Sequence, residues 1–217
     1  MAMLMRAPGE CGLWIWDLND EVEPGLESAL RTAARMSALL RDHGLLEPSQ
    51  VEWLWFVYGG IGIGIGIGIE TTLPLMGMFD PADLTQRIER SQPSGHPDAQ
   101  VGNLSASGRG TWFDAQGEER HEQDLAVLSV DPDEHQLTTD VAVFHDIWGH
   151  FDFRGFPHPE IYKRNAPRLA AALGELDALL GTTAVAGDAT YFGRAEGHGI
   201  EMPDVIDGRG PDLTDRL

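Results

Sequence analysis

A strict alternation of glycine and isoleucine over residues 59–69 constrains the fold of this chain more than any other feature. A period of two residues suits a strand with one bare face, whereas on a helix every fourth glycine would fall on one side. Residues 53–69 form a run of seventeen uncharged side chains, near the lower limit of a membrane span. The five alternating glycines dilute its hydrophobicity, which favours a buried segment or a contact between copies of the chain over a membrane span. Strand and helix both stay open, and a homo-oligomer is one expected arrangement.

Four stretches carry the apolar spacing or the end signals that are typical of α-helices: residues 24–43, 48–58, 80–88 and 162–180. Gly44 and Gly181 follow the first and the last stretch, as expected of residues that end a helix. Pro48 suits the first turn of the second helix, and Asp80 stands before a proline that suits the start of the third. The sequence therefore predicts a helical part over residues 1–90.

Strand signals are short and scattered, at residues 13–16, 111–113, 115–117 and 125–130. Residues 91–110 are rich in glycine, serine and proline, which predicts a loop that could act as a lid. The predicted fold class is therefore α+β, mostly helical, with a small β element. One domain is expected over residues 1–217, divided into the helical part, a part that carries the site over residues 91–200 and an extended tail over residues 201–217.

The charge balance excludes whole classes of partner. Fifteen basic against thirty-five acidic residues give a formal net charge of −20, and a field of that sign repels nucleic acids and anionic membranes. Cys11 is the single cysteine, so neither an internal disulfide nor a site built from several thiolates is expected. The first eight residues lack the layout of a signal peptide, and the cytoplasm is the expected location.

The clearest candidate for chemistry is the stretch V-F-H-D-I-W-G-H-F over residues 143–151, which contains H-D-x-x-G-H. Its two imidazoles, His145 and His150, are five positions apart, so on a regular helix they would lie about 140° apart. Gly149 lets the chain leave helical geometry and bring His150 back towards His145. Asp140 is the expected N-cap of this short helix. The pattern predicts a metal site, with Asp146 between the two ligands.

This stretch resembles the iron-binding helix of the pterin-dependent aromatic amino acid hydroxylases, which carries H-E/D-x-x-G-H. Residues 189–196 are similar to that family's Y-W-F-T-V-E segment, in which a tyrosine stands five residues before a glutamate. The resemblance implies an aromatic amino acid hydroxylase-like catalytic core. It also implies His145, His150 and Glu196 as the facial triad of a non-haem Fe(II) site, which leaves positions open for dioxygen and substrate.

The resemblance also implies roles for residues around the metal. Asp146 and Tyr191 are expected to be catalytic, with Asp146 oriented towards bound water or pterin and Tyr191 near both iron and pterin. Tetrahydropterin is the expected electron donor, and Trp112 or Phe113 is expected to stack on it, since a flat heterocycle needs an apolar face.

Arginine side chains can clamp an amino acid carboxylate through two parallel hydrogen bonds, so Arg109 and Arg194 are predicted to bind substrate together with Trp148. The aromatic loop over residues 153–159 is expected to form a wall of the same pocket. Three residues could replace or join Glu196 at the metal: Glu201, Asp188 and His198. The remaining histidines lack a partner at metal-ligand spacing and are predicted to lie on the surface: His96, His121, His135 and His158.

The sequence thus favours a non-haem Fe(II), dioxygen-dependent monooxygenase that hydroxylates an aromatic amino acid or a related small aromatic compound. Three alternatives remain open. The same two histidines and carboxylate could hold Zn²⁺ in a hydrolase, with Asp146 as general base. The iron oxygenase could work without pterin. A binding module without catalysis is the third alternative.

Overall fold

The structure is a computed structural model and describes residues 4–19, 21–58, 66–75, 77, 79–133 and 135–217. The fold is 28% helix and 33% strand. The described residues form one large antiparallel sheet of eight strands, three α-helices and a small hairpin. The predicted fold class, mostly helical with an aromatic amino acid hydroxylase-like core and a small β element, is therefore wrong.

In the large sheet, the first strand of the chain lies between the seventh and the eighth strands. The strand order is β3-β2-β4-β6-β7-β1-β8, with β5 paired to the end of β4. The bounds are β1 (Gly12–Asp17), β2 (Glu47–Tyr58), β3 (Gly66–Pro74), β4 (Gln100–Phe113), β5 (Glu119–Gln123), β6 (Val127–Asp131), β7 (Thr138–Val143) and β8 (Val185–Ala186). Because β1 pairs with β7, the segment before β1 lies beside the loop that follows β7.

The helix predicted over residues 48–58 is wrong, because these residues form the strand β2. Its burial alternates: Val51, Trp53 and Trp55 are in the core, and the residues between them are half-buried. Nearly every side chain from residue 53 to residue 58 is apolar, so helical and strand spacing both fit the sequence. Aromatic side chains on a half-buried pleated surface favour the strand.

The loop predicted over residues 91–110 is also wrong for its second half, which belongs to β4. Two glycines of this strand mark close approaches between backbones rather than turns. A Cβ at Gly108 would lie 2.0 Å from the carbonyl oxygen of Glu47, and one at Gly110 would lie 2.4 Å from that of Leu45. The glycines therefore allow the backbone of β4 to approach neighbouring backbones closely. Composition alone does not distinguish such a strand from a glycine-rich loop.

The described part of the glycine and isoleucine repeat is a strand. Residues 66–69 belong to β3 and pair with β2, while residues 59–65 of the repeat lie outside the described residues. Among the described residues, no helix combines the length and the apolar character that crossing a membrane requires.

Three predicted helices are confirmed, as α1 (Leu26–Asp42), α2 (Pro81–Arg90) and α3 (Pro159–Leu180). The side chain of Asp80 caps α2 by accepting the N–H of Ala82 at 3.0 Å. Gly181 ends α3 in the left-handed conformation, with φ 77°. Buried faces of α1 and α3 contribute to the core that covers the sheet.

The chain after α3 returns along the sheet without a further α-helix in its described residues. Tyr191 lies in a turn, and Glu196 lies in β9 (Ala195–Glu196), which pairs with β10 (Gly199–Ile200). Gly197 takes φ 54° in the turn of this hairpin. The tail then docks beside the loop after β7, where the Leu213 N–H donates to the Phe153 carbonyl at 2.7 Å.

Candidate functional site

The H-D-x-x-G-H stretch is an extended segment with one turn of 3₁₀-helix over Asp146–Trp148, not the predicted short α-helix. Asp140 lies inside β7 opposite Ile15 and Ser129, so its predicted role as N-cap is wrong. The chain needs no cap there because β7 runs on almost to His145. Gly149 does leave helical geometry, but at φ −97° and ψ 174°, which any residue adopts.

A cleft of about 340 Å³ opens at this segment, between the loop after β7 and the chain around β9 and β10. It brings together two predicted metal ligands, His145 and His150, with Asp146 between them in the sequence. The opposite wall contains Tyr191, Arg194 and further residues from the C-terminal part: Phe192, Ile200, Glu201, Met202 and Asp204. The cleft therefore combines imidazoles, carboxylates and aromatic rings.

His145 is buried at the inner wall of this cleft, with 1% of its surface exposed. Within the described part of the chain, its Nδ1 has no hydrogen-bond partner. Burial lowers the pKa of the imidazole to about 4, and Arg6 lowers it further by charge repulsion. The ring is therefore neutral near pH 7, which is the form that coordinates a metal.

Asp146 is 4% exposed and is fixed to the N-terminal segment by two hydrogen bonds. Its Oδ1 accepts the N–H of Met5 at 3.2 Å, and its own N–H donates to the Met5 carbonyl at 3.1 Å. Burial raises the pKa of this carboxyl to about 7, and the charge of Asp152 raises it too, against the hydrogen bond from Met5. A carboxyl that titrates near neutral pH suits a general acid or base.

His150 is half-buried and stacks on Tyr162, with ring centroids 3.9 Å apart. The loop that follows turns back on it, because the His158 N–H donates to the His150 carbonyl at 3.2 Å. The His158 ring makes a 2.9 Å hydrogen bond through Nε2 with the Gly149 carbonyl oxygen, and burial lowers the pKa of His158. The prediction that His158 lies on the surface is thus wrong, since it ties the loop together.

Glu196, the predicted third ligand, is exposed on β9 and does not line the cleft. Glu201 does line it, and its carboxylate lies 4.0 Å from Arg194, another predicted site residue. Tyr191 also lines the cleft and is 70% exposed, with the Arg216 guanidinium 3.9 Å from its ring centre. Across the residues that the structure describes, no three histidine, cysteine or acidic side chains are gathered closely enough to hold a metal ion.

Four predicted cofactor and substrate residues do not line the cleft. Trp112 and Trp148 belong to the core, and the Trp148 Nε1 has no partner among the described residues. The Phe113 ring is covered by the Arg168 guanidinium at 5.0 Å. Arg109 lines a different cavity.

Cys11 is a residue of the cleft that sequence reasoning missed. It is 3% exposed, and burial beside Asp146 raises the pKa of its thiol, which stays protonated near pH 7. Its N–H donates to the Val143 carbonyl at 2.8 Å, two residues before His145. Only the pairing of β1 with β7 reveals this proximity, and no local pattern carries that information.

No protein family, no curated protein and no solved structure matches this chain. The candidate site therefore rests on its own geometry.

Proposed function

We propose that the cleft beside His145 is the active site of a metal-dependent enzyme that acts on a small molecule. One observation carries the proposal: a buried, neutral imidazole at the cleft wall has a nitrogen without a partner in the described structure. A buried polar atom left unpaired costs about 1–3 kcal/mol, and a bound ion is one of the recognised explanations for such an atom. A metal ion would supply the missing partner.

The residues fit a metal in part. His145 and His150 would be the imidazole ligands, both from the loop after β7, and the third ligand would come from the opposite wall. Glu196 is the ligand that the sequence pattern predicts, whereas Glu201 is the glutamate of that wall that lines the cleft. We propose that Glu201 takes this place, which requires side-chain rotation to bring it to the histidines.

The specific reaction we propose is hydroxylation of an aromatic amino acid or a related small aromatic compound, in the cytoplasm. Bound Fe(II) would supply the activation of dioxygen. The chain's own residues would do the rest: Phe153 and Phe192, whose ring centres lie 5.6 Å apart, wall off an apolar ring from water. Arg194 binds a carboxylate, and Asp146 holds or releases a proton near neutral pH.

The test begins with metal binding. Protein freed of metal by a chelator is titrated without oxygen with Fe(II) and, separately, with Zn²⁺. We expect one equivalent to bind, and we expect His145→Gln to weaken binding by more than about tenfold. Loss of a residue that only hydrogen-bonds to a metal ligand already lowers metal affinity by about that factor. His121→Gln is the matched control, because His121 is exposed on β5 outside the cleft. If neither Fe(II) nor Zn²⁺ binds at one equivalent, the proposal is refuted.

A second pair of variants identifies the carboxylate. Glu201→Gln should lower the metal affinity as His145→Gln does, whereas Glu196→Gln should leave the metal affinity unchanged. The reverse result would restore the sequence prediction for Glu196 and contradict our assignment. Circular dichroism and melting temperature report whether each variant is folded.

Oxygen uptake with a panel of aromatic amino acids tests the reaction itself. Tetrahydropterin is the proposed electron donor, and because Trp112 and Phe113 lie outside the cleft, Tyr191 or Phe192 would have to stack on it. Equal turnover with and without tetrahydropterin would remove pterin from the proposal and leave iron in place.

A Zn²⁺ hydrolase is a second candidate, favoured by the Asp146 pKa of about 7. A carboxylate of that pKa can accept a proton from metal-bound water. One equivalent of zinc in purified protein, together with no oxygen uptake, would favour the hydrolase over the oxygenase.

A further inference from the structure

Arg109, which the sequence predicts as a substrate residue, faces a second cavity of about 750 Å³ that is separate from the cleft. Arg41 of α1 lines the same cavity. Both arginine side chains are exposed, and Glu47 is the one acidic residue among the described residues that line this cavity. Their joint position calls for a chemical explanation.

The cavity exists because one face of α1 carries small side chains. Ala34, Ser37 and Ala38 are three and four positions apart, so they share a face, and Arg41 continues that face one turn later. Leu75 and Phe79 form an apolar part of the opposite wall. This volume falls within the range of small-molecule sites, about 300–1,000 Å³.

The polar groups of the cavity are arranged for an anion. Arg109 stands on β4 directly between Glu47 of β2 and Gln123 of β5, and both neighbours line the cavity. In the described part of the chain, Arg109 makes no ion pair within 4.0 Å, even with Glu47, and Arg41 has only its neighbour Asp42 at 3.8 Å. Most of the hydrogen-bonding capacity of both guanidinium groups is thus available to a ligand.

Ser37 is an independent indication. It lines the cavity and is 3% exposed, and its hydroxyl has no partner among the described residues. A serine inside a helix commonly satisfies its hydroxyl on the carbonyl four residues before it. A buried hydroxyl that lacks this bond is short of an acceptor, and rotation of the Ser37 side chain towards the cavity would let it donate to an anionic oxygen, a strong acceptor.

We propose that this cavity binds a small organic anion, with a carboxylate or phosphate group between Arg41 and Arg109 and an apolar body against Leu75 and Phe79. Glu47 limits the site to ligands that carry few negative charges. This site is separate from the proposed metal cleft and does not depend on its function.

Titration calorimetry with three probes of one shape tests the proposal: 1-naphthylacetate, 1-naphthyl phosphate and the neutral 1-naphthylacetamide. We expect both anions to bind and the amide to bind at least about tenfold more weakly, because it cannot pair with the guanidinium groups. The comparison of the two anions identifies the preferred group. Failure of both anions to bind at about 5 mM would overturn the proposal.

Charge variants locate the binding. Arg109→Gln and Arg41→Gln should each lower the affinity for both anions by about tenfold or more. Arg90→Gln is the matched control, since it removes the same charge from an exposed position on α2 outside the cavity. Equal weakening by the control would show that only the overall charge matters and would refute the site. Unchanged binding in Arg109→Gln would refute it too.

His145→Gln separates this inference from the proposed function. It should leave the affinity of both anions unchanged, because His145 does not line this cavity. Loss of anion binding in that variant would place the anion in the metal cleft and overturn the second site.

Discussion

The buried Asp146 carboxyl makes the stability of the metal-free protein depend on pH. The pKa of this carboxyl rises from 3.8 to about 7 on folding, chiefly because burial disfavours the charge. The folded state therefore binds more protons than the unfolded state between these values. Below pH 3.8 the carboxyl is protonated in both states, so its burial carries no cost of charge and its contribution to stability is fully present. This contribution is lost as the pH rises through 7.

Asp146→Asn should remove most of this dependence. Each pKa unit corresponds to about 1.4 kcal/mol, so the difference of about three units sets an upper limit of about 4 kcal/mol above pH 8. An amide in place of the carboxyl can still accept the N–H of Met5, but it adds donors that cost about 1–3 kcal/mol when unpaired. We expect the variant to be about 2 kcal/mol more stable than the wild type at pH 8, and to lose this advantage below pH 4.

Urea denaturation at pH 4, 6 and 8 in the presence of a chelator measures the effect, because bound metal would alter the charge around Asp146. Asp98→Asn removes the same formal charge from an exposed position and should change stability by less than about 0.5 kcal/mol. A variant that is no more stable than the wild type at pH 8, or an advantage that does not vary with pH, would refute this account of the carboxyl.

Three further substitutions test the fold. Burial raises the pKa of Asp140 to about 6, so Asp140→Asn should stabilise the protein by about 2 kcal/mol above pH 7 and not below pH 3.8; equal effects at both values would contradict the cause. Asn165 is fully buried and bonds the N–H and carbonyl of Phe113 at 2.9 and 2.8 Å, so Asn165→Ala should cost about 3 kcal/mol in denaturant unfolding, and a cost below about 1 kcal/mol would show that these bonds contribute little. Gly181→Ala should cost about 1 kcal/mol, or about 2–4 °C in melting temperature, because φ is 77° there; an unchanged melting temperature would argue against this conformation.

Sequence periodicity predicted the helices well where two signals agreed. In α1 and α3 the apolar spacing and a following glycine both indicate a helix, and the structure agrees. In β2 almost every residue after Trp53 is apolar, so the period that distinguishes a strand is hidden. In β4 the strand consists largely of small residues that accommodate neighbouring backbones, which the sequence presents as a loop.

In the site too, residues close in sequence could be predicted, whereas residues brought in by strand pairing could not. The motif predicted that His145, Asp146 and His150 lie together, because they are close in sequence. It could not predict Cys11, which reaches the cleft only through strand pairing, or the contribution of Met5. The resemblance and an aromatic ring upstream of the motif predict Trp112 as a pterin contact, but aromatic side chains are equally common in a core, where Trp112 lies.

The position of β1 between β7 and β8 has a consequence for the order in which the protein is made. A ribosome synthesises β1 first, yet its partners lie more than a hundred residues later. Until they emerge, the segment that carries Met5 and Cys11 has no place to dock, and long-range pairing of this kind forms slowly. The cleft is thus expected to be among the last parts of the molecule to assemble, because a nascent chain that has not yet reached residue 204 lacks much of its C-terminal wall.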